Sequence, residues 1–390
     1  MPINLLVLTS IFVMDPKDIT EGIGTRYGGL YSALAKDLLN ISPQSKVFWY
    51  SNADQTLRII TKNKMSKSSC GMFKAVLESI LTSLKERSYL VGIVTYPTIL
   101  QASISRIAFR YASSLLALRI LSPTRTRLIV DIIDPPVPAA YAHSETEPSK
   151  FTRIAWRMLD ILSLKLASLV LVLTQSYKQY IAKSQWAKKS KIRKVPAGTL
   201  VKFINNTPPK SKGPLTLLYA GSARRVKDVD KLVFAVDNLR KKGLQVNLNI
   251  AGARLMDLPD WVQNKQSSWP QFVNTILSEA DVGVIPYPPN RLHFSYTMPS
   301  KLSDYMAAGK PVISTNCKEP ARIINTFKCG LVAKDWKEFE LHIEKLYYDR
   351  ELAKKLGENG RKAAERYFDN ELLAKKLLKN LPKMFAVKHQ

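Results

Sequence analysis

The chain has 390 residues, 46% of them hydrophobic, enough for two α/β domains of ordinary size and too apolar for a disordered chain. Its 59 Lys and Arg against 31 Asp and Glu leave a formal charge of +28, so partners are expected among anions: phosphorylated ligands, anionic lipid or nucleic acid. Cys70, Cys317 and Cys329 lie too far apart for a zinc knuckle or a disulfide framework, and the four histidines lack ligand spacing, so no metal is expected and a reducing cytosol fits.

The N-terminal run MPINLLVLTSIFVMD has no basic leader and no small-residue cleavage site, so Ile3 to Leu8 reads as a first buried strand. No apolar run in the chain reaches the roughly 18 residues of a spanning helix. The loop DITEGIGTRYGG follows, then a helix with apolar positions at Tyr27, Leu30, Tyr31, Leu34 and Leu38. Gly22 and Gly24 would let a phosphate approach the backbone at the helix start, with Thr25 as cap or hydroxyl donor; a plain turn uses the same residues. Strands are predicted at Lys46 to Tyr50, Val91 to Thr95, Leu128 to Ile133 and Leu169 to Leu173, separated by helices, as in a doubly wound sheet.

Two of the intervening helices are both apolar and basic: Ser103 to Ile120, with Arg106, Arg110 and Arg119, and Thr152 to Leu166, with Arg153, Arg157 and Lys165. Such helices lie in a membrane interface, where each cation near anionic headgroups contributes about 1 kcal/mol, or they are core helices with a solvated basic edge. Asp134 stands at the carboxyl end of a strand before two prolines, in position to bind sugar hydroxyls, to act as a base or to start a turn. His143, nine residues on, is a weaker loop candidate.

From Pro196 to Pro214 the periodicity gives way to Pro, Gly, Lys and Asn, which marks a linker. A second α/β series then begins with a strand at Leu215 to Tyr219, whose exit loop AGSARRVKDVD holds Arg224, Arg225 and Lys227 beside Gly221. Paired Arg donors and a Lys point charge at a strand's carboxyl end suit a diphosphate. A helix at Lys231 to Lys241 and a strand at Val246 to Ile250 come next. The stretch DVGVIPYPPNRLHFSYTMPSKLSDYMAAGKPVIST then gives a strand at Val282 to Ile285, a proline-rich loop, a helix from Ser300 with Asp304 one turn in, and a strand from Val312. Ligands in open α/β sheets sit at such strand ends and helix starts. The predicted domains are 1–205 and 206–371, with a C-terminal helix of about 372–390 packing back on the first.

Several of these segments resemble GT-B glycosyltransferases, in particular the retaining family 4 group (glycosyl transferases group 1). EGIGTRYGGLYSALAKDL resembles their first Gly loop and helix, LLYAGSARRVKDVDKLVFAV their donor-phosphate loop, and SDYMAAGKPVIST followed by CGLVAKD their end-of-site helix and next strand. The resemblance implies an α/β GT-B fold, two Rossmann-like doubly wound domains facing a central cleft, with the acceptor on the first and a nucleotide-sugar donor on the second. It implies Arg225, Lys227, Ser300 and Lys301 on the donor diphosphate, with the amides near Gly24 and Thr25, and Asp304 on the ribose. The family's first glutamate falls on Tyr296, so His293 and Tyr296 become candidates for the sugar pocket, and Asp134 for catalysis.

The activity implied is metal-independent, retaining glycosyl transfer from a nucleotide-diphosphate sugar, with no cofactor. The acceptor expected from the basic, apolar helices is a lipid-linked glycan at the cytoplasmic face of a membrane with an anionic surface, as in N-glycan or surface-glycan precursor assembly. Alternatives are a soluble sugar acceptor, or a non-catalytic nucleotide-sugar or nucleic-acid binding protein; against nucleic acid, the cations are not set in a recognised binding motif.

Overall fold

The computed structural model describes residues 1–19, 26–96, 104–133, 149–184, 187–221, 228–252, 258–291, 294 and 296–385, without the side chains of 16, 104–110, 152 and 153. Contacts divide the chain into two compact units, Met1–Met14 with Leu30–Pro196 and Leu373–Gln390, and Asp15–Gly29 with Ala197–Leu372.

The first unit is built on an eight-stranded sheet ordered β4-β3-β2-β1-β5-β6-β7-β8. Its strands are β1 (Ile3–Thr9), β2 (Val47–Ser51), β3 (Thr56–Ile60), β4 (Met65–Ser69), β5 (Tyr89–Tyr96), β6 (Thr126–Ile132), β7 (Leu169–Val172) and β8 (Ile192–Lys194). The central strands are parallel, and runs such as Leu5–Leu8, Val47–Tyr50 and Leu128–Val130 are buried throughout, as expected of strands covered on both faces. One edge departs from the pattern read in the sequence: β3 and β4 form an antiparallel extension of β2. All five residues of β4, MSKSS, are exposed, so no hydrophobic alternation marked this strand. The helices are α1 (Ser32–Ile41), entered through a π-helical turn at Arg26–Tyr31, then α2 (Met72–Lys85), α3 (Ile104–Ile120), α4 (Lys150–Leu166) and α5 (Gln175–Ser184). Helix α3 packs against both α2 and α4.

The second unit has a wholly parallel sheet of β9 (Leu215–Gly221), β10 (Val246–Gly252), β11 (Val262–Lys265), β12 (Val282–Ile285), β13 (Val312–Thr315) and β14 (Gly330–Ala333). The order β11-β10-β9-β12-β13-β14 reverses direction at β9. That reversal is the topological switch point of a doubly wound sheet, where the loops leaving neighbouring strands part and open a crevice. The longer helices here are α6 (Val229–Lys241), α7 (Ser300–Ala307), α8 (Lys318–Phe327), α9 (Trp336–Tyr348) and α10 (Arg350–Ala363), and short α- and π-helical turns at Trp269–Gln271, Phe272–Ile276 and Leu277–Glu279 join β11 to β12. The chain then returns through α11 (Asn370–Leu378), whose residues from Leu373 onward group with the first unit.

Candidate functional site in the second unit

Helix α7 is fixed to the switch point by one aromatic residue. A Cβ at Gly283 of β12 would come within 2.2 Å of the Tyr305 ring, so only glycine lets the helix lie this close to the sheet. Tyr305 then reaches across to β9, where its hydroxyl accepts from the Ala220 amide at 2.9 Å and donates to the Leu218 carbonyl at 3.0 Å. At the other end of the helix, Gly309 has φ +69° and Lys310 turns inward. The Lys310 ammonium, 1% exposed, donates to the carbonyls of Ala280 (2.5 Å) and Ser278 (3.3 Å), and burial lowers its pKa to about 8. Thus Tyr305, Gly309 and Lys310 together hold the helix in place.

Lys301 lies one turn before Tyr305, on the same face of α7. It is 7% exposed, and its Nζ donates to the Tyr287 hydroxyl at 3.0 Å. The ammonium sits 4.5 Å from the ring centroid of Tyr219 and 5.1 Å from that of Tyr287, a double cation–π arrangement at the carboxyl ends of β9 and β12. Tyr287 is itself held, its ring stacked on Phe294 at 4.4 Å and its carbonyl receiving Thr315 Oγ1 and Cys317 Sγ. Gly221 ends β9 at φ +137°, and a Cβ there would approach Lys301 Nζ to 2.7 Å. The glycine leaves room for the ammonium.

Asp304, 4% exposed, accepts a hydrogen bond from Thr199 Oγ1 at 2.5 Å. The neighbouring Ser303 hydroxyl donates to the Ala197 carbonyl. The segment carrying these partners is anchored from its other side, by Thr199 N to the Phe368 carbonyl (2.8 Å) and Asn370 N to the Thr199 carbonyl (2.9 Å). Burial raises the Asp304 carboxyl from 3.8 to about 6, a shift opposed by Thr199, the Trp269 indole and the Lys301 ammonium. The indole N–H falls short of a well-aligned hydrogen bond. The result is a cation and an acid three residues apart on one helix, with partners drawn from other elements of the second unit.

Of the residues singled out in the sequence, Ser300, Lys301 and Asp304 come together on α7, and half-buried Tyr296 lies just before it. Ser300 opens the helix after Pro299, with no side-chain cap. Gly24, Thr25, Asp134, Arg225, Lys227 and His293, together with His143, lie outside the described residues. Thr199, Tyr219 and Tyr287 are not among them; Thr199 falls in the Pro196 to Pro214 linker, where its one signal is the Pro-Ala-Gly that precedes it. Among the described residues no grouping of three or more His, Cys, Asp or Glu could hold a metal ion.

The first unit also holds a buried acid whose pKa is raised. Asp160 of α4 accepts from the Tyr96 hydroxyl at 2.7 Å, and Tyr96 stacks on Tyr111, which is bonded to Ser163 at 2.9 Å. Burial pushes the Asp160 carboxyl up to about 7 against the Tyr96 hydrogen bond.

Residues 202–363, within the second unit, match the family profile of glycosyl transferases group 1. No curated protein matches the chain. Among solved structures, sucrose-phosphate synthase from Thermosynechococcus elongatus aligns over 98% of this chain and 99% of its own, at 17% identity and TM-score 0.67. A glycosyltransferase from Rickettsia africae aligns over 99% and 100%, at 15% identity and TM-score 0.64. HepE of Anabaena in complex with UDP aligns over 98% and 100%, at 13% identity and TM-score 0.60. The fold is that of the GT-B glycosyltransferases.

Proposed function

We propose that this protein transfers a glycosyl group from a nucleotide-diphosphate sugar, with the donor bound at the amino end of α7. The observation that carries the reading is Lys301, an ammonium fixed between two tyrosine rings beside Asp304, within the domain that matches glycosyl transferases group 1. A fixed cation next to the leaving diphosphate stabilises the charge that grows there as the glycosidic bond breaks, without reorganising at the moment of reaction. Arg225 and Lys227 add cations on the loop after β9, and Gly24, Thr25 and the Ser300 amide add N–H donors. Asp304 takes the ribose hydroxyls, its carboxylate oriented by Thr199. Tyr296 and His293 face the transferred sugar, and Asp134 serves the sugar or acceptor. Transfer is retaining and needs no metal, the cations doing what a divalent ion does elsewhere.

The acceptor in this reading is a lipid-linked glycan at the cytoplasmic face of an anionic membrane, with the protein peripherally bound. Support comes from α4, where Phe151 (85% exposed), Ile154 and Met158 form an apolar stripe at spacings of three and four residues. Exposed Lys150, Arg157 and Lys165 accompany it. Apolar side chains entering the headgroup boundary, with cations beside them, are what an interfacial helix requires. No described helix is long and apolar enough to cross a membrane.

The test is a panel of UDP-, GDP- and ADP-sugars assayed for binding and for transfer or hydrolysis, with and without EDTA. The reading expects one donor class to bind and turn over with equal rates in EDTA, and Lys227→Ala to abolish turnover while remaining folded. Binding of none of the donors would overturn it; full activity of Lys227→Ala would remove that residue from the diphosphate site.

A further inference from the structure

Three separate stretches of this chain contain no acidic residue: Arg87 to Val130, Ile161 to Lys227, and Leu372 to the C-terminus. Residues from each of the three meet at the amino-end edge of the first unit's sheet, the edge opposite the strand ends where ligands of such sheets are usually found. There Arg119, at the end of α3, Arg127, at the start of β6, and Lys191, just before β8, line one open cavity of about 380 Å³ with Ser168, Pro123 and Met384.

The cations in this cavity face one another rather than acids. Arg127 is held rigidly: its Nε donates to the Met384 carbonyl at 2.8 Å and its Nη1 to the carbonyls of Pro123, Thr124 and Thr126 at 3.0 to 3.2 Å. Its guanidinium also lies 5.0 Å from the Phe385 ring centroid. The Lys191 ammonium donates to the Ala167 carbonyl at 3.2 Å, and none of the three is in an ion pair among the described residues. Partial burial lowers the affinity of Arg127 and Lys191 for their protons, and Arg119 lowers both further by repulsion. Ser168 Oγ accepts from the Leu128 amide at 3.3 Å, which leaves its hydroxyl proton to be donated inward. Like charges held together without counter-charges raise the energy of the empty site, and a bound anion removes that cost.

We infer that this cavity is a binding site for a phosphoryl group, with the fixed Arg127 guanidinium offering Nη2, Arg119 and Lys191 closing on the oxygens, and the Ser168 hydroxyl as a further donor. Guanidinium pairs match phosphate oxygens in spacing, and an ammonium adds an undirected charge. A second cavity of about 370 Å³ shares Met384 and presents Leu169, Leu373 and Leu377 beside Lys376 and Lys383. The phosphoryl group can therefore belong to a free phosphate or to the headgroup of a lipid whose apolar part continues there. The site lies in the first unit, apart from α7, and stands independently of the donor assignment.

The experiment uses the full chain and the double variant Arg119→Gln/Lys191→Gln; Arg127 is left intact because its carbonyl contacts hold the backbone. As a control of equal charge, Lys64→Gln/Lys67→Gln removes two exposed cations beside and within β4. One arm titrates inorganic phosphate against chloride at matched ionic strength by calorimetry. The other measures co-sedimentation with phosphatidylcholine vesicles with and without phosphatidic acid. Charge-assisted bonds at this strength predict a loss of about tenfold or more for the double variant and little change for the control. Variant-sensitive binding in the phosphate arm identifies a free phosphate, and in the vesicle arm alone a lipid headgroup; either supports the site. Equal behaviour of wild type and double variant in both arms, or an equal loss in the control, overturns it. Circular dichroism of each variant confirms folding.

Discussion

Two groups of cations in this molecule are built in opposite ways. Lys301 is buried, with its ammonium against two aromatic faces, a tyrosine hydroxyl 3.0 Å away and an acid on the same helix. Arg119, Arg127 and Lys191 lie in an open cavity whose lining contains no acid, and they repel one another. Lys301 has its electrostatic cost met by the protein, so its position is set before any ligand arrives. That is the condition under which a charge acts on a transition state rather than on binding alone. The open cluster has no such compensation, so it should act through affinity and respond to salt.

The largest effect expected from breaking this contrast is on turnover. Lys301→Met keeps the volume and apolar stem among Tyr219 and Tyr287 and should leave the protein folded, yet lower turnover by about 10²- to 10³-fold in a steady-state transfer assay. Arg119→Gln/Lys191→Gln should leave turnover of a soluble acceptor unchanged.

The buried acids give the next effect. The folded-state carboxyl of Asp160 sits at about 7 and that of Asp304 at about 6, both above the ordinary 3.8. Each folded group therefore binds its proton more tightly than the unfolded one. The associated stability is fully present below pH 3.8 and is lost as the pH rises through the folded value. Over pH 4 to 7 this amounts to about 3 kcal/mol for Asp160 and about 2 kcal/mol for Asp304. Asp160→Asn, which keeps an oxygen for Tyr96, should flatten that part of the pH dependence in urea unfolding. An unchanged slope would mean that Asp160 is not buried as described.

Removing the hydroxyl that orients Asp304 comes next. Thr199→Val should cost about 1–3 kcal/mol in unfolding free energy and push the Asp304 carboxyl still higher, seen as a basic shift of the acid limb of the rate profile. The smallest effect on the fold itself is expected on α4. Phe151→Ser/Met158→Ser should change unfolding free energy by no more than about 0.5 kcal/mol per site, yet reduce flotation with anionic liposomes. Unaltered flotation would leave the α4 stripe without a role at the membrane.

Most parallel strands of both units were legible because each carries a short apolar run, and α7 because Pro299 and Gly309 bracket it; β8 (IRK) and β11 (VQNK) have no such run and were not. Asp304 could be placed near the loop for the same reason, and Lys301 by the resemblance to GT-B glycosyltransferases. Their surroundings could not: Thr199 is 105 residues from Asp304, and Tyr219 reaches Lys301 only because β9 and β12 are neighbours in the sheet. The pocket of Arg119, Arg127 and Lys191 was hidden likewise, since its cations come from three connections that only the strand order brings together. Strand β4 was missed for a local reason, having no buried face to impose a pattern.

The most direct measurement is calorimetric titration of UDP, GDP and ADP into the wild type, Lys301→Met and Arg119→Gln/Lys191→Gln. At least one diphosphate should bind the wild type and the double variant alike, and Lys301→Met about tenfold or more weakly. A nucleotide that binds Lys301→Met as tightly as the wild type would contradict the placement of the donor diphosphate on α7.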